Sequence, residues 1–442
     1  MSGRYPYHLR ATRCNLIPAS VPEGLHLGYE LLPKTLAKAG YVSHHVGKWH
    51  MGFHTSEYTP VGRGFNTSWG FLEGGEDHFT ERSGAGGISC PESNNSHQHP
   101  DLWAQNVNGA GFPGKPLHSR VGNPGAPKPG LDSTYTAMMF TSRVIDIVKE
   151  AGAAARAAEA ATAEMADAAA KGEGRRARGG NAVAAPFFVY WALHNTHEPV
   201  EAPTRFVELY KNKSWYAADR KRATFAAMVS VVDESVLNVT TALREEGLWA
   251  NTLFVWTTDN GSPINAAGSN HPLRGGKGHN WEGGVRVPFF VTGGAVPSAQ
   301  RGQVRHGLVH IADLYATFAG LAGLPAVAPA AGPAPSDSID QWSYIVGAVK
   351  EAPRMEIIQD HHMFTNASAT CGAECTCAGQ VPFELPGCVD YVCSSSLALR
   401  RPRALRRARP SIEHARAYAR ISNAVPTRPA ARFVYFCFRN GV

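Results

Sequence analysis

Apolar residues fall along the chain in two patterns, and each predicts a kind of element. "PFFVYWALH" at 186–194 and "NTLFVWTT" at 251–258 are nearly continuous apolar runs. Such runs suit strands buried on both faces of a sheet. "YVSHHVG" at 41–47 and "RVPFFVTG" at 286–293 read as further strands. Between two of these runs, Phe225, Met228, Val229, Val232, Val236, Val239 and Leu243 recur at steps of three and four. That stripe predicts a long helix over 219–247. "LLPKTLAKAG" at 31–40 predicts a shorter one, with Pro33 in its first turn and Gly40 as its stop. "STYTAMMFTSRVIDIVKEAG" resumes a helical pattern at 133–152. A strand, a long helix and a strand in that order argue for an α/β fold around a mostly parallel sheet.

The polar stretches complete the outline. Residues 83–133 are rich in Gly, Pro, Asn and Ser and read as irregular surface structure. Residues 153–185 are alanine-rich and of low complexity, and read as an exposed, partly helical insertion. Beyond 345 the pattern fails. Five of the eight cysteines lie between Cys371 and Cys393, an arginine run follows at 400–409, and "RFVYFCFRNGV" closes the chain. This gives a main domain over 1–345 and a divergent Cys-rich and Arg-rich region over 346–442.

Composition changes this picture little. Of 442 residues 43% are hydrophobic and 18% charged, as in globular proteins. The net charge of +7 comes from the tail, because 11 arginines and one acid, Glu413, lie from Arg400 onward. The body is slightly acidic, which argues against a nucleic-acid surface on the main fold. No stretch approaches the ~18 apolar residues of a membrane span. Asn66, Asn94, Asn212, Asn238 and Asn366 are N-x-S/T sequons. With clustered cysteines they point to the secretory pathway, secreted or lysosome-like. The first ten residues, MSGRYPYHLR, are no signal peptide. Either the chain is cytosolic or its first residues are not in it. The cysteine spacing lacks paired C-x₂-C units, so disulfides fit it better than zinc.

Chemistry gathers just after the predicted strands. "GKWHMG" puts Lys48 and His50 two apart, on one side of an extended chain. "LHNTHEPVEAP" carries His194 and His197, "TTDNGS" carries Asp259 and Asn260, and "PLRGGKGHNWEGGVRVP" carries Lys277. In parallel α/β sheets ligands lie outside the carboxyl ends of the strands, where these segments fall. Asp259-Asn260-Gly261 alone is an ordinary turn sequence. After a buried strand it also offers hard oxygen donors, which suit Ca²⁺ and, less well, Mg²⁺. Two lysines and several histidines around such a metal suit hydrolysis of an anion. His44, His45, His194 and His279 read as surface or supporting groups, and His310 and Asp313 as the start of a packing helix.

"SGRYP", "GYVSHHVGKWHMGF", "GRGFNTSWGF", "HEPVEAP", "PLRGGKGHNWEGGVRVP" and "HIADLYATFAGLAGL", with the 228–262 stretch, resemble the sulfatase family, and within it the arylsulfatase B-like branch. The likeness covers 2–82 and 134–363. It implies an alkaline-phosphatase-like α/β/α sandwich with a smaller C-terminal subdomain, Ca²⁺, and hydrolysis of sulfate esters of sugars or aryl alcohols. It makes Asp259 and Asn260 metal ligands. Lys48, His197 and Lys277 become sulfate-binding groups with catalytic roles, and His50 the histidine beside the nucleophile. That nucleophile is a formylglycine made within C/S-x-P-x-R, shortly before the T-G-R-Y motif. No C/S-x-P-x-R occurs in the 442 residues, and the first strand with its aspartate pair is not found either. An N-terminally incomplete chain accounts for both. The alternatives are a catalytically inactive relative that binds sulfated glycans, and a phosphodiesterase or phosphonate hydrolase of the same superfamily.

Overall fold

The computed structural model describes residues 1–9, 22–82, 101–107, 115–116, 135–171, 183–264, 266–325, 336–359 and 432–438. The strands are β1 Val42–Lys48, β2 Thr67–Phe71, β3 Trp103–Asn106, β4 Lys115–Pro116, β5 Phe187–Leu193, β6 Thr252–Thr258, β7 Phe289–Thr292 and β8 Arg432–Phe438. They form one sheet in the order β4-β3-β2-β1-β5-β8-β6-β7. The five central strands, β2, β1, β5, β8 and β6, run parallel; β3 and β7 run antiparallel to them on either side, and β4 pairs antiparallel with β3 at the edge. The helices are α1 Leu32–Ala37, α2 Thr136–Ala170, α3 Thr204–Val207, α4 Arg220–Glu245, α5 Glu282–Val285, α6 Asp313–Leu321 and α7 Trp342–Ile345.

Two cores flank the sheet. On one face Phe140, Val144 and Val148 of α2 and Ala227, Val231 and Leu243 of α4 pack on Val46, Val189, Trp191 and Phe254. On the other, Leu32 and Leu36 of α1 and Leu314 and Phe318 of α6 pack on Phe188, Leu253, Val255 and Phe433. The result is an α/β/α sandwich, its sheet strands apolar on both faces as their sequences require. The side chain of Asp219 caps α4 by accepting from the Arg222 amide, 2.9 Å. Val229, assigned to the buried stripe from sequence, is 42% exposed, because Ala227 and Val231 line the sheet instead. Among the described residues α4 alone is long and apolar enough to cross a membrane, and half of its apolar window is buried in this core.

The alanine-rich stretch is helical over 153–170, where it continues α2, as a partly helical reading expects. Two further differences from the sequence reading concern strands. β3 and β4 lie within 83–133, which read as irregular. Most unexpectedly, β8 comes from the patternless tail and lies between β5 and β6, parallel to both. The cysteine cluster, the arginine run, Asn94 and Asn366 lie outside the described residues.

Candidate active site

The register of the central strands brings the candidate segments level. Gly47 pairs with Ala192, and Leu193 and Thr258 both pair with Phe438. One residue further on, His194 and Asp259 therefore stand at the same carboxyl edge, beside the Lys48 end of β1. His197 follows in the loop after β5, its amide bonded to the His194 carbonyl, 2.9 Å. Lys277 sits in the loop before α5, and its amide donates to the Ser262 carbonyl, 3.2 Å. Asn270 ties that loop down: its Oδ1 accepts from the Ser262 amide, 2.9 Å, and its Nδ2 donates to the Ser262 and Gly275 carbonyls, 2.6 and 3.1 Å. Nothing in the sequence reading marked Asn270, which looks like any loop polar residue.

Lys48 and His50 converge on Gly74, but not by strand alternation. His50 has φ 54°, so the chain turns into the left-handed region two residues past β1. The pairing runs through the segment after β2. The Trp49 and His50 amides donate to the Phe71 and Leu72 carbonyls, 3.0 and 3.1 Å. The Lys48 ammonium, buried with its side chain, donates to the Gly74 carbonyl. Gly74 then lies against the His50 ring and Gly75 against the His197 ring.

Behind His197 three imidazoles stack. Ring centroids are 5.1 Å apart between His197 and His194 and 4.3 Å between His194 and His78. His78 Nε2 donates to the His197 carbonyl, 2.9 Å. His197 Nδ1 lies 2.9 Å from the Glu198 carbonyl, which can only accept. The proton is therefore on Nδ1, and Nε2 carries the lone pair. Burial, then the Lys277 charge, pull His197 down to about 3, with His78 and His50 adding to the effect. Burial also lowers Lys277, opposed by Asp259 and Glu198. These influences put Lys277, His50, His197 and Asp259 in one electrostatic neighbourhood. His44, His45 and His194, read from sequence as surface or supporting groups, are all buried; His45 is bonded to Ser68 and to the Lys48 carbonyl. Burial pulls His45 down to about 3 as well. Asp313 begins α6 and is buried against Arg354, so that cluster is packing.

The metal assignment can be tested on the donor chemistry. Asp259 and Asn260 follow β6 and present hard oxygens, although the Asn260 Nδ2 donates to the Gly261 carbonyl, 2.8 Å. Among the described residues no group of three or more His, Cys, Asp or Glu could hold a metal ion. Two side chains fall short of the roughly 6–8 oxygens that Ca²⁺ takes. The described residues do not by themselves fit a complete Ca²⁺ site.

A parallel α/β/α sandwich with two lysines and several histidines beyond the carboxyl ends of its strands is an anion-handling architecture of the alkaline-phosphatase-like class. The comparisons narrow it. The sequence model of the family described as Sulfatase matches residues 1–324, and the chain belongs to the sulfatase family. Arylsulfatase J of Mus musculus is 30% identical over 326 residues, covering 73% of this chain and 43% of its own. N-acetylgalactosamine-6-sulfatase of Mus musculus is 27% identical over 312 residues, 70% of this chain and 48% of its own. The chain thus spans about half the length of these relatives. The crystal structure of Ps i-CgsB superposes with a TM-score of 0.58 at 24% identity, covering 80% of this chain and 65% of that one. BT4656 in complex with D-glucosamine-2-N,6-O-disulfate superposes with a TM-score of 0.51 at 14% identity, covering 83% and 73%. Both likenesses concern the fold.

Proposed function

We propose that this cluster binds the sulfate group of a sulfate ester and promotes its hydrolysis, the alcohol being a sugar or an aryl alcohol. The observation that carries the reading is the convergence of Lys48, His50, His197 and Lys277 at one edge of the sheet. Lys48 and Lys277 supply fixed positive charge to the sulfate oxygens. His197 offers an unprotonated Nε2 while the site is empty of anion. A bound sulfate offsets the Lys277 charge, favours imidazolium, and lets His197 or Lys277 deliver a proton to the departing alcohol. His50 is placed to serve the second half of the reaction, release of sulfate. A formylglycine would supply the attacking oxygen in this chemistry, and Asp259 and Asn260 are the residues placed to contribute to a cation. The relatives named N-acetylgalactosamine-6-sulfatase support a sugar sulfate.

A second reading takes the same lysines and histidines as an anion-binding cluster that holds a sulfated glycan without cleaving it. Passage through the secretory pathway belongs to both readings. Asn212 and Asn238 are exposed, whereas the Asn66 side chain already accepts from the Ser43 amide, 2.7 Å, and is a poor glycan site.

The test is turnover of 4-nitrophenyl sulfate alongside calorimetric binding of inorganic sulfate. Hydrolysis that Lys48→Ala or His197→Ala each lowers by at least about 10²-fold supports the enzyme. Sulfate binding that Lys48→Ala weakens, without turnover, supports the binder. A chain that neither binds nor cleaves refutes both.

A further inference from the structure

We propose that the segment Leu72–Glu76 is the positioning element of this site: Gly74 and Gly75 set the gap between His50 and His197, and Asp101 holds them in place. The inference deepens the reading above, on which it rests for the role of the histidines, but its geometry stands separately.

The two glycines are not required by backbone conformation, since neither has a positive φ. Their place is set by space, because a side chain at either would push on an imidazole. A Cβ on Gly74 would lie 2.9 Å from both Cε1 and Nε2 of His50. A Cβ on Gly75 would lie 3.1 Å from Cε1 of His197. The dipeptide is therefore a spacer one backbone thick, with a candidate catalytic ring against each residue. Its Gly74 carbonyl also receives the Lys48 ammonium, so three groups from two different strand ends take their positions from it. Glu76 extends the contact, its amide pointing at His194 Nε2 over 3.5 Å.

A spacer positions only if it is itself fixed, and Asp101 does this. Its Oδ1 accepts from the Leu72 amide, 3.0 Å, and its Oδ2 from the Glu73 amide, 2.9 Å. Trp103 Nε1 donates to Oδ1 as well, 3.0 Å, and the Asp101 amide donates to the Glu81 carbonyl, 2.9 Å. The carboxylate is 4% exposed, so these bonds meet little competition from water. Asp101 touches neither histidine. It acts through the segment.

The experiment uses the full chain with 15N-labelled histidine and follows the imidazole resonances together with sulfate affinity. Gly74→Ala is expected to move the His50 signals and leave those of His197. Gly75→Ala should do the reverse. Asp101→Asn keeps one acceptor oxygen, loses the other, and should move both sets at once. Each variant should weaken sulfate binding by about tenfold, the effect of displacing one charge-assisted contact. The His310 signals, from the far α6 cluster, report whether the fold is intact. Unmoved His50 signals in Gly74→Ala, or Asp101→Asn variants with both rings in place, overturn the proposal. Ring shifts as described in a wild-type chain that binds no sulfate keep the positioning role and overturn the anion site. If Asp101→Asn does not fold, the two glycine variants decide alone.

Discussion

Glu76 shows what a single side chain can cost beside this site. It is fully buried and neither carboxyl oxygen has a hydrogen-bond partner. Burial, then Asp101, Glu81 and Asp77, hold its carboxyl well above the usual range, so the folded protein carries it as the neutral acid. The folded pKa is raised, so stability is lost as pH rises above the unfolded value near 4.5. Glu76→Gln should match wild type in melting temperature below the unfolded value near 4.5 and exceed it increasingly as pH rises from there. Parallel melting curves across that range would show the carboxyl to be solvated. His197 is the counterpart. Its pKa of about 3 is set partly by the Lys277 charge, so added sulfate should raise it, visible in the Nε2 shift. A titration unmoved by sulfate would place the anion elsewhere. Lys48, His50, His197 and Lys277 stand out in the sequence because cations and imidazoles carry recognisable chemistry. It gave the wrong reason for Lys48 and His50, since a left-handed residue breaks the alternation. It could not reveal Gly74 or Gly75, whose contribution is an absent side chain.

At the scale of elements, the legible ones were those whose burial repeats over many residues. β5 and β6 read as apolar runs, and α4 was found with its limits nearly right. β8 carries the same kind of apolar run, "FVYFCF", but it stands alone in the tail, with no helical stripe beside it to mark a strand–helix–strand unit. Yet it joins the two halves of the sheet. Phe433 is fully buried, stacked 5.2 Å from Tyr41 and 5.0 Å from Phe318. Phe433→Ala should therefore cost about 3–5 kcal/mol in urea unfolding, the range for a core phenylalanine. A loss near zero would mean that 432–438 does not occupy the centre of the sheet.

For the whole molecule, the buried titratable groups set a pH preference. Burial lowers His45 and His197 to about 3 and His44, His78 and His310 to about 4, and lowers His194 as well. Their folded pKa values lie below 6.5, so their contribution is present above that pH and is lost as pH falls toward 4. Glu76, with Asp101 and Glu201, both raised to about 7, works the other way over the same window. The histidines outnumber them, so calorimetry should show the melting temperature falling on acidification from neutrality. A flat or rising profile would contradict the burial of these rings. The fold class was readable at this scale because layers follow from buried strands and amphipathic helices; the joining of the sheet was not. The late origin of β8 also bears on how the molecule is made. β5 ends at Leu193 and β8 begins at Arg432. At roughly 5–20 residues per second, a ribosome delivers β8 about 10–50 s after β5. For that time β5 and β6 have no central neighbour, and each shows an open strand edge of the kind that pairs with other chains. Until β8 arrives, a nascent chain built this way is exposed to pairing with its neighbours, and a chaperone or dilution would protect it.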